Sequence, residues 1–170
     1  DQKSALFGQG CVEAGDTIVT YGTGSFMLMH TGSERPRSHN RLVSTAALGP
    51  AGEKAYALEG SVFIAGAAVQ WLRDELKVVA KSSHTEALAA RSKDRSAPYF
   101  FPAFVGLGAP YWDSAARGAI FGLTRGTTRA DLVRATLDSI AYQVNDVLVA
   151  MERDAGHRIK ELRVDGGAAA

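Results

Sequence analysis

Several features that mark specialised classes of protein are scarce or absent in this 170-residue chain. It has one cysteine, Cys11, which excludes an internal disulfide framework and is typical of a reducing compartment. No apolar run approaches the roughly 18 residues that a membrane-spanning helix needs, and the first residues do not follow a signal-peptide pattern. Lysine and arginine are scattered and the formal net charge is +1, which does not favour a nucleic-acid-binding face or a membrane anchor. We therefore expect a cytoplasmic protein with no nucleic-acid partner and no membrane insertion.

The four histidines are also dispersed and show no metal-ligand spacing, so no metal site is predicted and each is expected on the surface: His30, His39, His84 and His157. Cys11 is expected to be a small buried hydrophobe rather than a nucleophile. With 46% hydrophobic residues, the chain is long enough to bury one substantial core. It begins at Asp rather than Met and stops just after a glycine-rich turn, so we expect one domain, residues 1–170, that is incomplete at both ends.

The order of apolar patterns predicts an α/β domain with a mixed sheet. The predicted strands are a strand–turn–strand unit over 16–32, then 42–48, 55–59 and 159–164. The predicted helices are 2–11, a helix capped by Ser61 and running to about Ala80, a weaker helix over 84–91, and a long helix that begins after Thr128 and ends at Gly156. The segment 102–126 is rich in glycine, proline and aromatic residues, which indicates a long structured loop with short strands.

A glycine-bracketed threonine, Gly22-Thr23-Gly24, follows the first predicted strand. Because glycine has no Cβ, the backbone N–H groups of such a turn can approach an anion closely, and the threonine hydroxyl can add a further donor. A plain β-hairpin turn explains the same tripeptide. The motif alone leaves both interpretations open.

Several ordered blocks decide between them. The blocks are Asp1-Gln2, the Gly22-Thr23-Gly24 turn, 57–61, 106–113, 116–126 and Asp165-Gly166-Gly167-Ala168. Together they resemble the C-terminal half of the FGGY carbohydrate kinases, and among these the glycerol kinases, from the first residue to the last. The resemblance implies half of a ribonuclease-H-like, actin-like ATPase fold, with a mixed central sheet flanked by helices. It also implies that this is the nucleotide-side domain and that the family's N-terminal domain is absent.

The resemblance assigns three residues to the phosphoryl acceptor. Asp1 matches the aspartate that acts as general base and also contacts the substrate, whose hydroxyl it would deprotonate. Gln2 and Phe26 match substrate contacts, a hydrogen-bonding side chain and an apolar wall for a small polyol. From the residues alone, Phe26 is equally well explained as a core residue of a strand.

Five further residues match nucleotide contacts of the family: Thr23, Gly24, Gly66, Gln70 and Gly167. Thr23 and Gly24 resemble the second phosphate loop, and Gly167 belongs to the adenosine motif. Gly66 lies inside a predicted helix, where glycine costs about 1 kcal/mol relative to alanine. Close approach of a nucleotide or helix–helix packing explains it equally well.

The resemblance thus implies transfer of the γ-phosphoryl group of ATP to glycerol, with Mg²⁺ as cofactor, ADP as product and homo-oligomerisation of the intact enzyme. The 170 residues alone are expected to be inactive, because half of a cleft cannot turn over. Two alternatives stay open: an FGGY kinase of another polyol or a pentulose, and a non-catalytic nucleotide-binding domain.

Overall fold

The chain folds around a five-stranded mixed sheet in the computed structural model, which describes residues 2–93 and 98–169. The strand order is β3-β4-β2-β1-β7, in which the first four strands are antiparallel and β7 runs parallel to β1. The strands are β1 (Asp16–Tyr21), β2 (Ser25–Gly32), β3 (Val43–Leu48), β4 (Lys54–Val62) and β7 (Glu161–Asp165). Two short strands, β5 (Tyr99–Phe101) and β6 (Ala119–Phe121), form a separate antiparallel pair. The predicted mixed sheet is confirmed.

Helices cover both faces of this sheet. They are α1 (Gln2–Gly8), α2 (Gly66–Asp74), α3 (Thr85–Ala89), which follows a 3-10 turn at Ser82–His84, and α4 (Arg129–Ala155). The start of α4 is the predicted capping box: the Thr128 N–H donates to the Asp131 carboxylate at 2.8 Å, and the Asp131 N–H donates to the Thr128 hydroxyl at 3.3 Å. Gly156 ends α4 in the left-handed conformation, with φ 72°. Within the described ranges, no helix is both long and apolar enough to cross a bilayer.

Alternate residues of β1 and β2 point to opposite faces, so the sheet has two cores. The core against α4 contains Val19, Met27, Met29, Val147 and Met151. The core against α1 contains Leu6, Cys11, Ile18, Leu28 and Ala57. Cys11 is 1% exposed, which confirms the prediction of a buried small hydrophobe. Residues of the sheet therefore face either α4 or α1: Phe26, for example, faces α1.

The helix predicted to start at Ser61 is wrong at both ends. Ser61 instead lies in β4, opposite Phe26 of β2, and on its other side its carbonyl accepts a hydrogen bond from the Ala109 N–H at 2.9 Å. These contacts hold the backbone extended although the apolar spacing suits a helix. The helix ends before residue 80 because Lys77 has φ 55°, which the right-handed α conformation does not allow.

The surface position predicted for His30 is also wrong, since this residue is 2% exposed. Its Nδ1 accepts the Gly32 N–H at 3.1 Å, and its Nε2 therefore carries the proton and faces the Leu48 carbonyl at 3.3 Å. Both ring nitrogens have hydrogen-bond partners, so His30 is a structural residue of β2, the central strand of the sheet. The other three histidines are exposed, as predicted.

Candidate functional site

A cavity of about 950 Å³ opens beside the end of β1. Five segments line it: the end of β1 with its turn, the first turns of α2, the segment 82–85 at the start of α3, the middle of α4, and the end of β7 with residues 167–169 of the turn that follows. Four of the five predicted nucleotide residues are on its wall: Thr23, Gly66, Gln70 and Gly167. They lie far apart in the sequence, so it is the fold that gathers them at one cavity.

The turn after β1 is held in place by the start of α2. Two N–H groups of the helix start, from Ala65 and Ala67, donate to the Thr23 carbonyl at 2.9 and 3.0 Å, and the Gly66 N–H donates to the Gly22 carbonyl at 3.0 Å. The Thr23 side chain is exposed at the cavity, and its own N–H makes no backbone hydrogen bond within the described ranges. The turn thus places an N–H group and a hydroxyl beside the cavity, a donor set suited to an anion.

Gly24 and Gly66 are both required by close backbone approach. A Cβ on Gly24 would lie 2.5 Å from the Val62 carbonyl oxygen, and one on Gly66 would lie 2.6 Å from the Gly22 carbonyl oxygen. The sequence left open whether Gly66 allows close approach of a nucleotide or helix–helix packing. In the structure, the missing side chain makes room for the Gly22–Thr23 turn and not for another helix. Gly24 itself is buried directly behind the cavity wall.

The segment after β7 closes the other side of the cavity. Gly166 has φ 98°, and a Cβ there would lie 2.2 Å from the Tyr21 carbonyl oxygen. The same carbonyl accepts the Ala168 N–H at 3.3 Å. Gly167, next to this contact, lines the cavity with open space where its Cβ would be. Burial raises the pKa of Tyr21, so its phenol stays neutral at the cavity wall.

Sequence reasoning missed the apolar wall of this cavity. Val69 of α2 and Leu137 and Ile140 of α4 contribute to it. Ile140 has the spacing of a core residue on α4, and periodicity cannot distinguish a helix face that covers a core from one that lines a cavity. An apolar wall in the same cavity as a turn with hydrogen-bond donors suits a ligand with one apolar and one anionic end.

The predicted acceptor residues lie elsewhere. Gln2 begins α1, and Phe26 points to the α1 face of the sheet, opposite Thr20 in β1 and Ser61 in β4. Both are half-buried, and the Gln2 Oε1 atom is buried without a partner among the described residues. Asp1 lies outside the described residues. Gln2 and Phe26 thus occupy the opposite face of the sheet from the apolar wall of the cavity.

Comparison with known proteins identifies the fold and the family. The model of the FGGY family of carbohydrate kinases, C-terminal domain, matches residues 17–170. The chain belongs to this FGGY family. Among curated relatives, glycerol kinase 2 of Pseudomonas aeruginosa is 61% identical and the glycerol kinase of Fusobacterium nucleatum 59% identical, in each case over 100% of this chain. The chain spans only 34% of the length of these two relatives.

Solved FGGY kinases have the same architecture. Plasmodium falciparum glycerol kinase, solved with ADP, superposes with a TM-score of 0.90 at 37% identity, over 99% of this chain and 34% of that one. The xylulose kinase of Rhodospirillum rubrum superposes with a TM-score of 0.82 at 26% identity, over 99% and 34% of the two chains. The predicted family and the predicted actin-like fold class are confirmed.

Proposed function

We propose that residues 1–170 form the nucleotide-side domain of an ATP-dependent kinase that converts glycerol to glycerol 3-phosphate. The observation that carries the proposal is the convergence of Thr23, Gly66, Gln70 and Gly167 on one cavity. Relatives of 61% and 59% identity that are named glycerol kinases support glycerol as the acceptor. An acceptor of this size needs few contacts, which fits the small number of residues assigned to it here.

In this proposal, ATP binds across the cavity and ADP remains after transfer. The Thr23 N–H and hydroxyl donate hydrogen bonds to phosphate oxygens at the end of β1. Gly24 and Gly66 allow the turn after β1 to pack closely against the end of β4 and the start of α2. Gln70 and Gly167 contact the rest of the nucleotide, with Ile140 on the apolar wall beneath it. A solved relative that holds ADP supports this ligand class.

Asp1 is proposed as the general base that accepts the proton of the attacking hydroxyl, with Gln2 and Phe26 as acceptor contacts. Phosphoryl transfer needs little covalent chemistry from the protein, so positioning and charge stabilisation dominate. Mg²⁺ bound to the nucleotide would neutralise charge on the phosphates. Such an ion is typically held by phosphates and water with one or two carboxylates.

The test is an ADP-release assay on the full-length protein that contains this chain. Glycerol is compared with a panel of small polyols and pentuloses, for the wild type and for Asp1→Asn. The matched control is Asp74→Asn, which removes an exposed carboxylate paired with Arg73. Glycerol-dependent turnover that is lost in Asp1→Asn and kept in the control supports the proposal.

Each other outcome contradicts a different part of it. Turnover of a pentulose instead of glycerol would support kinase activity but exclude glycerol as the acceptor. Binding of ADP without turnover of any acceptor would favour a non-catalytic nucleotide-binding domain. Full activity of Asp1→Asn would remove Asp1 as the base.

We further propose that the intact protein is cytoplasmic, where ATP is available, and that it self-associates. Support for self-association comes from the β5–β6 pair, whose outer face exposes Tyr99, Phe101 and Phe121 at 62%, 51% and 58%. Exposed aromatic clusters are typical of interaction surfaces. The mass of the full-length protein by light scattering tests this, and a monomer at all concentrations would contradict it.

A further inference from the structure

The end of β7 connects the two faces of the sheet. Val164 lines the cavity, whereas the next residue, Asp165, lies beside Thr20 of β1 and turns its side chain toward the α1 face. Gly167 then lines the cavity again. Asp165 therefore joins the cavity wall to the end of α1.

Asp165 makes one specific side-chain contact there. Its Oδ2 atom accepts a hydrogen bond from the Gln9 Nε2 atom at 3.0 Å. The Gln9 N–H donates to the Ala5 carbonyl at 2.9 Å, so its backbone continues the hydrogen-bonding pattern of α1. The side-chain bond thus joins the end of α1 to the end of β7.

The backbone around Asp165 is equally constrained. On one side, Asp165 lies opposite Thr20 in the parallel ladder between β1 and β7. On the other side, Gly166 packs on the Tyr21 carbonyl, which also accepts the Ala168 N–H. Neither the strand nor the following turn can shift without breaking one of these contacts.

Two buried polar atoms at this point have no partner among the described residues, Asp165 Oδ1 and Thr20 Oγ1. An arrangement selected for stability alone satisfies its buried polar groups, and departures from this rule are common where a residue serves function.

We propose that Asp165 is a positioning residue that, through Gln9, fixes α1 relative to the nucleotide turn 166–169. The inference rests on the proposed function, because α1 follows Asp1 and begins with Gln2, the residues assigned to the acceptor. Together with the packing of Leu6 and Cys11 on the sheet, this contact sets the distance between the acceptor groups and the bound nucleotide. A misplacement of about 1 Å costs about 100-fold in rate.

A double-mutant cycle on the full-length protein tests this. Asp165→Ala and Gln9→Leu each remove the bond, and each is expected to lower kcat about 10- to 100-fold while the KM for ATP changes much less. The double variant is expected to be no slower than the slower single variant, because both changes break the same contact. The exchanged pair Gln9→Glu with Asp165→Asn recreates a donor facing a carboxylate and is expected to recover much of kcat.

The matched control is Asp154→Asn. Asp154 is also a hydrogen-bonded carboxylate, accepting from Ser38 and from both nitrogens of Asn40, but it lies at the far end of α4. Its substitution is expected to lower thermal stability and to leave kcat unchanged. Additive losses of kcat in the cycle, a KM for ATP that rises in step with the loss of kcat, or no rescue by the exchanged pair would overturn the inference.

Hydrogen exchange of the α1 amides gives a readout that needs no turnover. ADP is expected to slow this exchange in the wild type and to have no such effect in Asp165→Ala or Gln9→Leu. If no acceptor is turned over but this pattern is found, the acceptor in the proposed function fails and the positioning role stands. Equal slowing in the variants, or none in the wild type, overturns the positioning role.

Discussion

The contact between Gly66 and the turn after β1 allows a sharp prediction. In Gly66→Ala, the new Cβ would lie 2.6 Å from the Gly22 carbonyl oxygen, and real Cβ atoms do not approach backbone oxygen that closely. The clash is with backbone, so it cannot be relieved by a change of rotamer. The start of α2 or the Gly22–Thr23 turn must move, and the three hydrogen bonds that join them are strained together.

The magnitude follows from opposing contributions. Alanine favours a helix over glycine by about 1 kcal/mol, whereas overpacking of this kind costs about 1–3 kcal/mol. The three backbone hydrogen bonds at the contact stabilise the fold by about 0.5–1.5 kcal/mol each, and partial loss adds to the cost. We expect a net loss of about 1–3 kcal/mol, which lowers Tm by roughly 2–12 °C for a domain of this size. Affinity for ADP should fall more than tenfold, because the displaced turn carries the proposed phosphate donors.

The assay combines thermal unfolding with calorimetric titration of ADP into the full-length protein. The control is Gly8→Ala at the end of α1, where an added Cβ meets no atom within 4 Å. That variant should keep the wild-type affinity and gain slightly in stability, because alanine is the better helix former. A Gly66→Ala protein with unchanged Tm and unchanged affinity for ADP would show that the turn after β1 does not need glycine at this position.

Three further predictions concern α4 and the loop that contacts it. Hydrogen bonds from Ser92 and from the helix cap lower the pKa of Asp131, so its stabilising contribution is present above the ordinary aspartate pKa of about 3.9 and is lost as pH falls through the lowered value. Asp131→Ala should therefore cost about 1 kcal/mol at neutral pH and nothing in strong acid, measured by urea unfolding at several pH values. The hydrogen bond to Asp146 raises the pKa of Tyr111 to about 12, so its stabilising contribution is fully present below the ordinary tyrosine pKa of about 10 and is lost as pH rises through about 12. Tyr111→Phe should therefore remove a step near pH 12 from the phenolate absorbance titration. Gly156→Ala should cost about 1–2 kcal/mol because alanine is strained in the left-handed conformation, and an unchanged Tm would contradict this.

Elements whose ends are marked by neighbouring residues were predicted correctly. The capping box at Thr128 and the left-handed Gly156 define α4 from neighbouring residues alone, and the structure has both. The helix predicted from Ser61 failed because its apolar spacing competes with strand pairing to β2, and that partner is distant in the sequence. His30 failed for the same reason, since the carbonyl that satisfies its ring belongs to β3.

The candidate site shows a similar division. Family motifs identified four residues that meet at the cavity. Close backbone approach requires glycine at one of them, Gly66, and at Gly24 behind the wall. The apolar wall carries no such signature: Ile140 follows ordinary helical spacing, and only the folded arrangement of α2 and α4 leaves it facing a cavity. The roles of Asp1, Gln2 and Phe26 stay predictions from the family resemblance.

The way β7 pairs with β1 also determines where this chain can change in length. Along β7 the side chains alternate between the cavity and the α1 face at intervals of about 3.3 Å. Insertion or deletion of one residue there would exchange the two sets, turning Val164 toward α1 and the carboxylate of Asp165 toward the proposed nucleotide. The turn between β3 and β4 has no such constraint, because its residues 50–53 are exposed. Among natural variants of this domain, we therefore expect length changes to concentrate at the turn between β3 and β4 and to be absent between residues 161 and 167.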